Sequence, residues 1–378
     1  MVSSLVHSSP APLPTSEGFR FGIEEEYFIA CAQSLRPATT TPDSLFATAN
    51  LGREMLQGQL EVATRPHSAA TSAADELSNL RATAVRSARE RGFKVLACGT
   101  HPLGNWRDSV QTPKERYDRV MEGLQMLGRR NMLCGMHVHV ELPEPSRRVE
   151  VMSRTLPYLP LFLALSTSSP FWEGELTGLK GYRLAAYDEL PRTGLPDLFT
   201  KEKDYVAYIE TMTKSGVILD ASHVWWSIRP SFKYPTLELR ISDSCTRVDD
   251  AVAVAALYRA LVRHLYMHPE INRRLTAVDR ALAGENKWRA QRYGAEMTFV
   301  TQDGLVPIAE ILEHLCEEMA ADIEALDCVD EAYHCQNILK GGTSADRQID
   351  VFRQHEDKGA AAALMHVCDW IAGASVVG

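Results

Sequence analysis

No C-x-x-C pair joins any of the eight cysteines (Cys31, Cys98, Cys134, Cys245, Cys316, Cys328, Cys335, Cys368). Neither a zinc cage nor a disulfide framework is indicated, and the thiols read as reduced, as in a cytoplasmic protein. The longest apolar run, Leu156 to Leu165, is too short for a membrane span and carries Pro157 and Pro160. Positive charge is not in excess: 40 Lys and Arg against 49 Asp and Glu leave a formal net charge of -9, which argues against nucleic-acid or anionic-membrane partners but allows a local basic pocket. Neither G-x-x-x-x-G-K-[ST] nor G-x-G-x-x-G occurs, so any nucleotide would be held without a glycine loop at a helix N-terminus. Met1 to Ser16 is rich in Ser and Pro, with no basic n-region and no apolar core. Residues 1–17 are expected to form a mobile tail and residues 18–378 a single domain, because no linker or repeat interrupts them. At 45% hydrophobic and 24% charged over 378 residues, the composition is that of an ordinary globular chain.

What is present is an acidic stretch in an apolar frame, Phe21-Gly22-Ile23-Glu24-Glu25-Glu26-Tyr27-Phe28-Ile29. As a strand it sends Glu24 and Glu26 to one face and Ile23, Glu25 and Tyr27 to the other. Acidic runs are usually solvated surface, but carboxylates embedded among strand formers need partners, and two on one face want a cation.

Gln59 to Thr64 alternates in the same sense and presents Glu61. Gly135-Met136-His137-Val138-His139-Val140 offers two imidazoles from one strand face, a common metal-ligand spacing that also arises by chance. Trp225 to Pro230 and Thr236 to Ile241 read as two further strands, the second with Glu238 and Arg240 on one face. His101, after the strand Phe93 to Cys98, is a weak site candidate that reads first as a surface or hydrogen-bonded loop histidine. The irregular segment Ser168 to Pro196 carries Arg183 and Arg192, which suit anion recognition. Residues 113–130 and Ile308 to Leu326 read as helices, and residues 149–166 as helical in parts, broken or kinked at Pro157 and Pro160. After residue 246 comes a helix with Val254, Leu257, Tyr258, Leu261 and Leu265 on one side and Arg259 and Arg263 on the other.

Together, Glu24, Glu26, Glu61, His137, His139 and Glu238 form a set rich in oxygen donors, which favours Mg²⁺ or Mn²⁺ over zinc. Such ions serve phosphate chemistry. Arg183, Arg229 and Arg240 would complete a phosphate clamp.

The segments GIEEEYFI, EVAT, GMHVHV, GYR with ELPRTGLP, WWSIRPS with PTLELRISD, ENKWRAQRYG and GTSADRQ resemble the carboxylate-amine ligases of the glutamate-cysteine ligase type 2 family, from about Phe19 to Gln348. The resemblance implies an α+β, glutamine-synthetase-like catalytic fold: a curved, mainly antiparallel sheet lined with metal ligands and covered by helices. It also implies ATP-dependent amide formation of the γ-glutamyl type through an acyl phosphate, with Mg²⁺ or Mn²⁺ and small amino-acid substrates, including weak glutamate–cysteine ligation. On it, Glu24, Glu26, Glu61, His137 and Glu238 hold metal, and Arg240 and Arg229 stabilise the transferred phosphate. His139 touches nucleotide or metal, and Arg183, Tyr182 and Arg192 orient the acid. Ser227 stands where the family pattern has Asp, and Glu141 where it has Gly. A metal-dependent hydrolase and a non-catalytic nucleotide-binding relative are the alternatives, and a homodimer is compatible with all three.

Overall fold

The computed structural model describes residues 18–48 and 50–376; the expected tail, residues 1–17, lies outside the described residues. The strands, in chain order, are β1 (Phe21–Cys31), β2 (Gly52–Arg53), β3 (Gln59–Ala63), β4 (Phe93–Leu96), β5 (Met136–Glu141), β6 (Phe171–Trp172), β7 (Glu175–Leu176), β8 (Ile228–Pro230), β9 (Thr236–Leu239), β10 (Thr298–Thr301) and β11 (Gly304–Pro307). β6 with β7, and β10 with β11, form small hairpins of their own. The other seven make one sheet in the order β2-β3-β1-β5-β9-β8, with β4 also paired to β1. Every pairing in it is antiparallel, and with the many helices around it the fold is α+β, as the resemblance implies.

The acidic strand alternates as expected. Ile23, Glu25 and Tyr27 are buried on one face, while Glu24 and Glu26 are partly open on the other. The buried face packs on the helices Ala70–Arg89 and Val248–Met267, meeting Val138, Val140, Leu237 and Leu239 in the larger core cluster. Beyond Tyr27 both faces of β1 are covered: Phe28 and Ala30 belong to a second cluster with Leu96, Leu364 and Val367, under the C-terminal helix Ala360–Ala374.

Several elements are shorter than the pattern suggests. Residues 113–130 divide into Glu115–Leu124 and Met126–Arg129 at Gln125, which has φ +52°. The helix expected from Ile308 breaks at Met319 into Ile308–Glu318 and Ala320–Ala325. Only Ile228–Pro230 of the WWSIRP run is strand. Pro157 sits in a 3-10 turn and Pro160 in the first turn of Leu159–Ser166, positions where no helical N–H is lost.

The helix Val248–Met267 departs most from expectation, because Arg259 and Arg263 are fully buried rather than on a polar side. Arg259 Nε donates to the Phe19 carbonyl at 2.7 Å, and Arg263 pairs with the buried Asp322. Helical periodicity cannot reveal that a second layer of helices closes over an arginine face.

Candidate active site

Register gathers the candidate side chains onto the open face of the sheet. Glu26 lies opposite Glu61, Glu24 opposite His137, and Glu238 is flanked by His139 on one side and Arg229 on the other. Directly opposed residues stand close enough for their side chains to act together.

Two groups of donors result, each with its ligand atoms within 4.8 Å of one another: Glu24 with His139 and Glu238, and Glu26 with Glu54 and Glu61. His139 Nδ1 is 2.9 Å from Thr236 Oγ1, which fixes the ring so that Nε2 stands 3.8 Å from Glu24. His137 belongs to neither group. Its Nδ1 is 3.1 Å from Glu24 Oε2 and 3.5 Å from Arg240 Nη1, while its buried Nε2 has no hydrogen-bond partner among the described residues. Glu54 escaped the sequence reading, since it precedes β3 in an irregular stretch and no alternation marks it.

The electrostatics separate these carboxylates. Burial pushes Glu61 up to about 10, helped by Glu24, Glu54 and Glu26. Burial also raises Glu26, although its Oε2 accepts from the Gly135 N–H at 2.7 Å. For Glu24 burial acts upward, but hydrogen bonds with His137 and His139 prevail and hold it well below the usual range. Against the same upward push, Arg240 and Arg229 hold Glu238 down. Burial, and then Arg240, lower His137. The Glu26–Glu54–Glu61 group is thus short of positive charge, while Glu238 has two arginines.

A cleft of about 600 Å³ contains Glu24, Glu26, Glu54, Glu61 and His137 together with Arg183, Arg229 and Arg240. Arg229 is largely committed: it grips Glu238 through Nε and Nη2 at 2.8 and 3.0 Å, and Nη1 donates to the Ser222 and Val224 carbonyls. Arg240 donates to Glu238 at 2.5 Å and to Tyr187 Oη at 3.2 Å, with its buried Nε unpartnered. Arg183, from the short helix Tyr182–Tyr187, donates through Nη1 to the Ser242 carbonyl at 3.1 Å, and its Nε is likewise buried without a partner. Glycine at 135 makes this placement feasible, because a Cβ there would lie 2.1 Å from Arg183 Nη2. Tyr182 instead packs on Trp172, and Arg192 lines an adjoining basin.

Some candidates have structural roles. Glu25 is fully buried and bound by Arg81 through two bonds of 2.9 and 2.6 Å; Arg81 also donates to the Cys245 and Thr246 carbonyls. His101 is buried against Phe28 and accepts from the Leu103 N–H. Ser227 is buried, and its backbone carbonyl accepts from the Arg240 N–H at 2.8 Å. Glu141 pairs with Arg20 at the edge of the sheet.

The donor set fits hard divalent cations. Glu26, Glu54 and Glu61 offer only oxygen, burial and then crowding by neighbouring carboxylates raise Glu61 to about 10, and His137 Nε2 is a buried acceptor or donor with no partner among the described residues. Among the described residues no helix is long and apolar enough to cross a membrane.

Residues 20–366 match the family model described as glutamate-cysteine ligase family 2 (GCS2). A protein of Bradyrhizobium sp. strain ORS 278, described as "Putative glutamate--cysteine ligase 2", is 55% identical over 364 residues, covering 95% of this chain and 88% of its own. One of the same description from Rhodospirillum rubrum is 42% identical over 372 residues, covering 95% and 96%. Among solved structures, a glutamate–cysteine ligase from Francisella tularensis in complex with AMP superposes with a TM-score of 0.68 at 14% identity, over 95% of this chain and 93% of that one. A bifunctional glutathione synthetase from Pasteurella multocida superposes at 0.67 and 15% identity, over 95% of this chain and 53% of its own. At such identities the structural likeness is one of fold. The match to the family model over nearly the whole length, with relatives above 40% identity, makes this chain a member of glutamate-cysteine ligase family 2.

Proposed function

We propose that this protein is an ATP-dependent carboxylate-amine ligase acting on small amino-acid substrates, with glutamate–cysteine ligation among its reactions, and that residues 18–378 act as one catalytic unit. The observation that carries this is one cleft in which Glu24 and the Glu26–Glu54–Glu61 group meet two arginines, Arg183 and Arg240, whose buried Nε–H groups lack acceptors among the described residues. Buried donors of that kind call for an anion. Mg²⁺ or Mn²⁺ held by the two groups would neutralise phosphoryl oxygens.

The protein's own residues then have separable roles. Glu24, His139 and Glu238 form one cation-holding group, and Glu26, Glu54 and Glu61 the other. Thr236 orients His139, and Arg229 positions Glu238 by its two-pronged grip. Arg183 and Arg240 present N–H donors to the oxygens of a carboxylate and of the phosphoryl group moving onto it. A carboxylate oxygen of the acid attacks the terminal phosphorus and ADP leaves. The amine nitrogen then attacks the acyl carbon, loses a proton and expels phosphate. On the other side of Glu24 and His139, a slot of about 320 Å³ bounded by Pro66, Tyr234 and Pro235 supplies the apolar walls that an adenine ring requires.

The test is ADP release from ATP with Mg²⁺ across a panel of amino acids, with hydroxylamine as trapping amine. A hydroxamate formed in step with ADP is expected. Amide hydrolysis that proceeds without ATP would overturn the proposal.

A further inference from the structure

We infer that the amine substrate is an amino acid with a large apolar side chain, seated in a basin beside the cleft with its carboxylate between Arg116 and Arg192. The inference rests on the ligase reading above. The basin holds about 500 Å³ and shares Arg116, Val120, Leu124 and Trp225 with the cleft, so the two are continuous.

Its walls are apolar in a way that folding alone does not explain. Val217 and Leu219 are 54% and 60% exposed, on either side of the buried Ile218. With Pro191 and Trp225 they face a concavity, where exposed apolar surface marks a binding site more often than on a convex surface. A cysteine side chain would leave most of that wall in water, whereas a leucine or phenylalanine side chain would cover it.

The charges at its rim fit a carboxylate. Arg192 holds φ +63°, a conformation that few residues other than glycine adopt. The Trp225 N–H donates to the Arg192 carbonyl at 2.8 Å. Arg192 Nε donates to the His223 carbonyl at 2.9 Å, and the guanidinium lies 5.2 Å from the Trp225 ring centre. Its terminal nitrogens have no hydrogen-bond partner among the described residues, and Arg116 forms no ion pair with them. Arg119, by contrast, is already paired with Glu115. Arg116 and the free terminal nitrogens of Arg192, beside an apolar wall, match the two ends of an amino acid.

The other two substrates have places elsewhere. The slot by Tyr234 and Pro235 borders the Glu24–His139 group, and the donors of Arg183 and Arg240 stand within the cleft for the acid. The basin remains for the nucleophile, which must reach the acyl carbon from the side.

The experiment uses the whole protein with ATP, Mg²⁺ and whichever acid supports hydroxylamine-dependent ADP release. The value of kcat/KM is measured for leucine, phenylalanine, cysteine and isoamylamine, the last being leucine without its carboxylate. Leucine or phenylalanine is expected to exceed cysteine and isoamylamine by about tenfold or more. Leu219→Asp should lower kcat/KM for leucine about tenfold more than it lowers the rate with hydroxylamine. Cysteine matching or surpassing both larger amino acids, or Leu219→Asp slowing hydroxylamine and leucine alike, would overturn the inference and leave the ligase reading intact. Absence of hydroxylamine-dependent ADP release with every acid would instead overturn the ligase reading, and this inference with it.

Discussion

Replacing Glu61 by Gln should make the metal-free protein more stable while depriving it of most of its response to metal. Glu61 lies opposite Glu26 and beside Glu24 and Glu54, and burial with those three carboxylates raises it from 4.5 to about 10. A carboxyl raised on folding binds more protons in the native state than in the unfolded one. Its favourable contribution is therefore complete below 4.5 and is lost progressively as pH rises toward 10. At neutral pH about 2.5 pH units of that window have been crossed, each costing about 1.4 kcal/mol, so Glu61 costs up to about 3.5 kcal/mol there. Glutamine keeps the shape and cannot ionise, and so recovers much of that. For a chain of 378 residues, with unfolding entropy of about 2 cal/mol/K per residue, the gain is a rise in Tm of roughly 2–4 °C. The wild type should gain Tm on adding Mg²⁺ or Mn²⁺ and should release a proton on binding, so its apparent affinity rises with pH between about 6 and 8. The variant should lose most of both effects. Differential scanning fluorimetry across pH, with and without metal, measures all of this. A variant less stable than wild type without metal, or one with an undiminished metal shift, would refute the assignment of Glu61 to a crowded cation-holding group.

Glu25→Gln breaks the buried pair with Arg81 and should cost about 3 kcal/mol or more, seen as a lower denaturant midpoint, while the protein that remains folded keeps its metal response. Gly135→Ala sets a methyl group against Arg183 Nη2 and should lower kcat at least about tenfold, with little change in Tm; unaltered turnover would remove Arg183 from the reaction. Thr236→Val frees the His139 ring and should weaken nucleotide-linked metal binding about tenfold or more, as read by calorimetry. Glu54→Gln should resemble Glu61→Gln in metal affinity, and a variant titrating like wild type would exclude Glu54 from the group.

Much of the site was legible because strand alternation is a local property. Once Glu24 and Glu26 are separated by one residue in an apolar strand, they must share a face, and the same holds for His137 with His139 and for Glu238 with Arg240. The sequence also showed that Glu25 faces away from them. It could not show that Glu25 meets Arg81, 56 positions along the chain, which makes Glu25 part of the structural core. Helix ends were read less well, because Gln125 and Met319 break helices whose apolar spacing continues through the break.

The sequence by itself therefore determined which residues stand side by side on each strand, the abundance of carboxylates among them and, through its motifs, the family. Only the tertiary structure decided which strands are neighbours and in what register. That register set His137 opposite Glu24 and His139 opposite Glu238, brought Glu54 from an irregular stretch to Glu26 and Glu61, and turned Arg229 toward Glu238. The physical reason is that alternation fixes direction within a strand, whereas distances between side chains on different strands depend on pairing and twist. Those in turn follow from how the helices bury the opposite face.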